Sequence, residues 1–389
     1  MLAGCGSASP QSFNPSSRIG AVGKPFVAYG PTSSYRVVYS FDGSGGVNPA
    51  AGLTALKGVL YGTADAGGSF CLSYGGCGTV FSLTTAGEET TLYSFHGNGD
   101  GANPQAGLTE RKGVLFGTTA DSFYVSGNGT IFSITPSGTE RTLHVFEGSG
   151  DAALPQANMT VLNGVLYGTT FYGGEGVGAI FSITAGGKEK VVYSFKYNGG
   201  DGTNPQGNLT VLNGKLYGTT YYGGTTDNGT LFSITSAGKE HVLYSFAGGS
   251  DGSHPQAGLT LLNGTLYGTT YVGGTNGHGT VFSVTTAGSE HVLYRFRSRS
   301  DGQYPTANLV VLNNVLYGTT DNGGGYGYGY GTVFSITTAG KERVLHAFQG
   351  PPNDGQLVLG GLVVLHGTLY GTTDVGGTNN EGIVFALTP

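Results

Sequence analysis

The segment Leu259–Phe296, LTLLNGTLYGTTYVGGTNGHGTVFSVTTAGSEHVLYRF, decides the fold, because its pattern recurs along nearly the whole chain. Its tag, Leu-Tyr-Gly-Thr-Thr, places a glycine at Gly268, and matching glycines stand at Gly62, Gly117, Gly168, Gly218, Gly318 and Gly371. A period of roughly 50 to 55 residues is that of propeller blades or a related array. Four short apolar runs within the segment are separated by turn residues. Each run is too short, and too rich in β-branched and aromatic residues, to be a helix, so each reads as a strand. These are strands a (Leu259–Leu262), b (Thr265–Tyr271), c (Thr280–Thr285) and d (His291–Phe296). Asn263-Gly264 joins a to b, and most of its counterparts, from Lys57-Gly58 to His366-Gly367, tolerate the positive φ of a tight hairpin. Ala287-Gly288 and its counterparts join c to d. One repeat is therefore a four-stranded antiparallel meander.

The repeats start and stop out of phase. The first recognisable strand, Val37–Phe41, is of type d with no a, b or c before it, and the last, Ile383–Leu387, is of type c with no d after it. In an open array that end would expose an unpaired edge. In a ring, the N-terminal strand completes the last blade. The expectation is all-β: a seven-bladed β-propeller of four-stranded antiparallel blades over residues 35–389, closed by the N-terminal strand. The alternative is a parallel solenoid.

Bulk composition agrees with this and excludes several classes. The 75 glycines among 389 residues fall at fixed turn positions, so they reflect many hairpins and not disorder. Charged residues are 10% and the net charge is -6, leaving no basic surface for nucleic-acid phosphates. No apolar run approaches the roughly 18 to 20 residues of a membrane helix.

The repeated LYGTT, the following Gly-Gly, the GTVFSIT strand, the AGxE turn and the LYSF strand resemble the GloVer tandem repeats of bacterial exported proteins with varied cell-surface anchors, over about residues 35–389. That resemblance implies surface display and no common activity. The Gly-Gly after strand b also resembles kelch blades, although the kelch tryptophan has no counterpart in a chain with Trp 0.

Leu2-Ala3-Gly4-Cys5 resembles the lipobox of bacterial lipoproteins, without the charged and apolar regions that precede such a box. It implies lipidation at Cys5, with residues 1–34 as a Ser-, Pro- and Gly-containing tether. Cys71 and Cys77 share one loop and are expected to form a local disulfide, which fits an exported protein. Zinc is excluded there because too few ligands are nearby.

Function is sought where the repeats disagree. In a meander propeller the b–c and d–a loops emerge on one face, and these are the variable ones. The d–a loops carry an aspartate (Asp100, Asp151, Asp201, Asp251, Asp301, Asp354) followed by a turn, which reads as turn chemistry. One carboxylate per loop is far short of the six to eight ligands of calcium, so no metal is expected. The third residue after the tag glycine is more informative. It is Phe171, Tyr221 and Tyr271 in repeats 3 to 5, Asp321, Asp374 and Asp65 in repeats 6, 7 and 1, and Ala120 in repeat 2, with Asp121 one step later. Ring closure makes repeats 6, 7 and 1 neighbours, so one arc is expected to be aromatic and the other acidic. Tyr172 and Tyr222 extend the first arc, and Tyr326 and Tyr328 border the second.

Aromatic faces beside carboxylates suit a sugar or polyol. The sequence thus reads as an exported, surface-anchored binding module for a glycan or envelope protein, monomeric and without cofactor, in preference to an enzyme. Two alternatives stand beside it: a polysaccharide-active enzyme using aspartates of the b–c loops, and a structural surface protein. No Ser-His-Asp, P-loop or HExxH arrangement appears, and His241 and His291 recur with the blades as structural residues.

Overall fold

Seven four-stranded antiparallel sheets, one per repeat, run in the order a–b–c–d. The computed structural model describes residues 33–71, 75–120, 127–148, 150–298, 300–325 and 329–389. The expected lipidation at Cys5, most of the tether, Asp121, Tyr326 and Tyr328 lie outside them. In the quoted repeat the strands are Thr260–Leu262, Thr265–Thr270, Thr280–Val284 and Glu290–Arg295. We number the blades by their tag glycines, from Gly62 in blade 1 to Gly371 in blade 7. The a strands of blades 7 and 1, Val363–Leu365 and Thr54–Leu56, touch as other neighbouring a strands do, so the sheets form a ring and not a stack. Closure is as expected. Ser34–Ser40 pairs antiparallel with Ile383–Thr388, with Val37 opposite Phe385.

The tag is explained by what each residue meets. A Cβ on Gly268 would stand 2.6 Å from Cζ of Phe282, and the strand c phenylalanine fills the same place at every other tag glycine. In five blades the first threonine bonds to the next blade, as when Thr63 Oγ1 donates to the carbonyl of Ala106 (2.9 Å) and Thr219 Oγ1 to that of Ala257 (2.8 Å), whereas Thr118 and Thr269 lack this partner. Thr372 Oγ1 donates to the carbonyl of Ala51 (2.8 Å) and so crosses from blade 7 to blade 1. The second threonine ties b to c within its own blade, as Thr270 Oγ1 does with Thr280 Oγ1 at 2.9 Å.

Burial is concentrated between blades. At all seven junctions the phenylalanine after strand d meets the strand c phenylalanine of the next blade edge to face, with centroids 5.1 to 5.3 Å apart. Such a pair contributes about 0.5–1.5 kcal/mol beyond the area it buries. Phe348–Phe385 and Phe41–Phe81 complete the series on the two sides of blade 7.

A polar latch lies beside each of six phenylalanine pairs. The d–a aspartate accepts a bond from the side chain near the end of the preceding strand d: Tyr93 to Asp100 (2.8 Å), Tyr193 to Asp201 (2.8 Å) and Tyr244 to Asp251 (3.0 Å) are typical. It also accepts from backbone N–H groups of its own loop, as Asp251 does from Ala247 at 2.7 Å. In blade 7 the strand d position that holds glutamate in the other blades holds Tyr35. Its hydroxyl donates to Asp354 and its ring stacks on His346 with centroids 3.6 Å apart. Tyr35 is thus the clasp of the ring.

Candidate functional site

The b–c and d–a loops are bridged to each other on one face, at Val47 with Ala66, Ser253 with Val272 and Gln303 with Asn322. This bridging hangs the third residue after each tag glycine in a fixed place. Its N–H donates to the carbonyl of a residue in the preceding d–a loop of its own repeat: Asp65 to Asn48 (3.0 Å), Tyr221 to Asn204 (3.2 Å), Tyr271 to His254 (3.1 Å), Asp321 to Tyr304 (3.1 Å) and Asp374 to Leu357 (3.0 Å). Those acceptors all have positive φ, between 55° and 61°. The conformation is uncommon for non-glycine residues and is held by hydrogen bonds on both sides of the residue, His254 N–H for instance donating to Asn228.

Beneath this ring lies a cavity of about 280 Å3 in the central channel, lined by amides that include Gln105, Gln156, Gln206, Gln256, Asn158 and Asn208. Asp65 and Tyr221 interact with the lining amides Gln105 and Gln256, so these two third residues border the cavity.

The acidic arc is electrostatically coupled. Asp321 is 9% exposed, and burial first, then the charge of Asp374, pushes its carboxyl up to about 6. Asp374 is pushed up to about 6 by burial and then by the charge of Asp65. Asp65 is raised by burial and partly restored by hydrogen bonds from Gln105 and Asn103. Oδ1 of Asp65 and Oδ1 of Asp321 are buried with no hydrogen-bond partner, while Asp321 Oδ2 accepts from Asn322 Nδ2 at 2.8 Å. Three carboxyls on adjacent blades are thus partly desolvated and coupled, Asp321 to Asp374 and Asp374 to Asp65, with one oxygen each of Asp65 and Asp321 left without a hydrogen-bond partner.

The aromatic arc is real but composed differently from the expectation. Phe171, Tyr221 and Tyr271 hold the equivalent rim positions. Tyr304 and His254, which the sequence reading passed over, deepen the arc: Tyr271 and Tyr304 have ring centroids 5.1 Å apart, and Tyr221 and His254 4.8 Å. Their signal was available, since they replace the asparagine that precedes proline in repeats 1, 2 and 4. That asparagine is itself a clip between blades: Nδ2 of Asn48, Asn103 and Asn204 donates to the carbonyl of Asp374, Asp65 and Phe171 respectively. Tyr172 and Tyr222 are 48% and 38% exposed and stand edge-on to Phe171 and Tyr221. Tyr172 lines a separate surface depression with Glu175 and Asn128. The expected Cys71–Cys77 disulfide is present.

The profile of the Gloeobacter/Verrucomicrobia repeat matches residues 23–177, 72–269 and 172–385. No curated protein sequence matches the chain. Among solved structures, the chain is similar to a puromycin-hydrolysing peptidase of Mycobacterium tuberculosis, with a TM-score of 0.52 and 11% identity over 87% of this chain and 52% of the peptidase. It is similar to PorZ, a surface component of the type-IX secretion system of Porphyromonas gingivalis, at TM-score 0.50 and 14% identity over 90% of this chain and 47% of that one. A gluconolactonase from Xanthomonas campestris aligns at TM-score 0.40 and 14% identity over 67% and 78% of the two chains. These likenesses concern the fold. They nonetheless correct the expectation that the chain is not an enzyme, because proteins that share its propeller architecture include hydrolases.

Proposed function

We propose, for a chain that belongs to the Gloeobacter/Verrucomicrobia repeat family, that the channel mouth is a hydrolytic site for a polyhydroxylated substrate. The burial and mutual coupling of Asp65, Asp374 and Asp321 carry this reading. Two adjacent carboxyls held up near 6 keep a proton at a pH where an isolated aspartate has lost it. One member of the trio then donates a proton to the leaving oxygen while a neighbour, ionised, takes a proton from the attacking water. Asp374, between the other two, is assigned the acid. Phe171, Tyr221, Tyr271 and Tyr304 offer faces to the C–H side of the substrate, and the amides below offer donors and acceptors to its hydroxyls. Turnover on a panel of oligosaccharides and polysaccharides, with Asp374→Asn beside the parent, tests the reading. Equal rates for the two proteins on every accepted substrate would remove it.

Export fits the same reading. The Cys71–Cys77 bond is at home in an oxidising compartment, and the lipobox-like Cys5, ahead of a tether, would hold a monomeric propeller at the cell envelope. Membrane fractionation of the parent and Cys5→Ser in a bacterial host tests the anchor, with retention of the variant in the membrane counting against it.

A further inference from the structure

The six aspartate latches are not alike. At four of them the partner is a tyrosine, whose phenol donates a proton to the carboxylate. His144 and His346 replace it at the other two. The His346 junction carries Tyr35 where a glutamate would stand, and at the junction of blades 1 and 2 His96, Asp100 and Glu140 do not bring their ligand atoms together, so among the described residues the junction between blades 2 and 3 is the one where histidine, aspartate and glutamate cluster. There His144, Asp151 and Glu189 bring one ligand atom each within 4.8 Å of one another.

We propose that His144, Asp151 and Glu189 form a binding site for a divalent transition-metal cation of the zinc class. One imidazole nitrogen and two carboxylate oxygens make a mixed donor set that such ions accept, with a fourth position for water. His144 Nε2 lies 3.1 Å from Asp151 Oδ2, and that oxygen also accepts the Glu147 N–H at 3.0 Å, which fixes its direction. Glu189 Oε1 is buried and has no hydrogen-bond partner. At sibling junctions the corresponding oxygens of Glu240, Glu290 and Glu342 are also unpartnered. The phenols there are weak ligands at neutral pH and already give their proton to the aspartate. Substitution of histidine for tyrosine thus turns a repeated latch into a ligand set. The cation would join strand d of blade 2, Glu140–Val145, to that of blade 3, Glu189–Ser194, and act as a staple independent of the channel mouth.

Titration of the full chain with Co2+, followed by visible absorption and by Zn2+ displacement, tests the site. The expected result is one Co2+ per chain and a melting temperature raised by Zn2+. His144→Tyr recreates the sibling latch and so is expected to fold with an unchanged metal-free melting temperature. It should bind Co2+ about 10–100-fold more weakly or not at all. Glu189→Gln should behave alike. Absence of Co2+ binding by the parent, or equal affinity in parent, His144→Tyr and Glu189→Gln, would overturn the proposal.

Discussion

Blades 3 to 5 and blades 6, 7 and 1 place opposite chemistry on the same backbone atom positions. Tyr221 and Asp374 both follow a Leu-Tyr-Gly-Thr-Thr tag, and both donate their N–H to a left-handed residue of the preceding d–a loop. Yet one arc is aromatic and the other consists of carboxyls displaced toward neutrality. Everything that holds the blades together lies elsewhere: in the tag glycine and its phenylalanine, in the threonine bond to the next blade and in the aspartate latch. The frame is therefore indifferent to the rim residue. Variation at one position per blade can write a site without disturbing the wheel.

The sharpest way to break this contrast is kinetic. Asp374→Asn is expected to lower turnover about 10²–10⁴-fold, the usual contribution of a positioned acid or base. The matched change in the other arc, Phe171→Leu, should leave kcat within a few-fold and raise KM. Equal losses in kcat from both would abolish the division of labour.

Stability against pH distinguishes the arcs next. Asp321 has a folded value of about 6 against 3.8 when free, so the folded chain holds more protons than the unfolded one between those limits. Stability from that proton is whole below pH 3.8 and is lost as pH rises through about 6. Asp321→Asn is expected to stabilise the protein at pH 8, by up to about 3 kcal/mol, and to do nothing at pH 4. Chemical denaturation at the two pH values measures this. Tyr221→Phe at the aromatic arc should show no such pH dependence.

The shared frame gives the complementary test. Gly218→Ala and Gly371→Ala would drive a methyl carbon to 2.6 and 2.5 Å from Cζ of Phe232 and Phe385. Both are expected to destabilise by about 1–3 kcal/mol, and equally, because the two arcs share that contact. Unequal midpoints in urea would show that the frame is not the same on both sides. Smallest of all should be the effect of Tyr221→Ala with Tyr271→Ala on ligand affinity: a weakening of about tenfold, since each ring face contributes about 0.7 kcal/mol, at unchanged kcat.

The fold was legible because the tag imposes identical constraints seven times, and a period needs no side-chain geometry to be seen. Closure was legible from the phase of the two ends. The rim was half legible. Asp65, Asp321 and Asp374 could be placed on adjacent blades by counting, whereas Tyr172 and Tyr222 could not be seen to turn outward, because strand b has ended and the pair Tyr172–Gly173 joins the d–a loop Ala152–Ala153 instead. The bulge in strand d, seen where Val281 opposes Tyr294 but Phe282 opposes Val292, leaves no mark in composition. Tyr304 was overlooked because its neighbour Tyr271 belongs to a different loop, and only the packing of blade 6 against blade 5 brings the two together.

The pairing of Ser34–Ser40 with Ile383–Thr388 has a consequence for biogenesis. A ribosome releases the outermost strand of the seventh sheet first and its partner last, so the wheel stays unlocked for the whole of synthesis while the six intervening meanders, each local in sequence, are free to form. Locking is a late event. Under the export proposed above, that delay would keep the polypeptide open to threading until it had crossed, after which Tyr35 would find Asp354 and shut the circle.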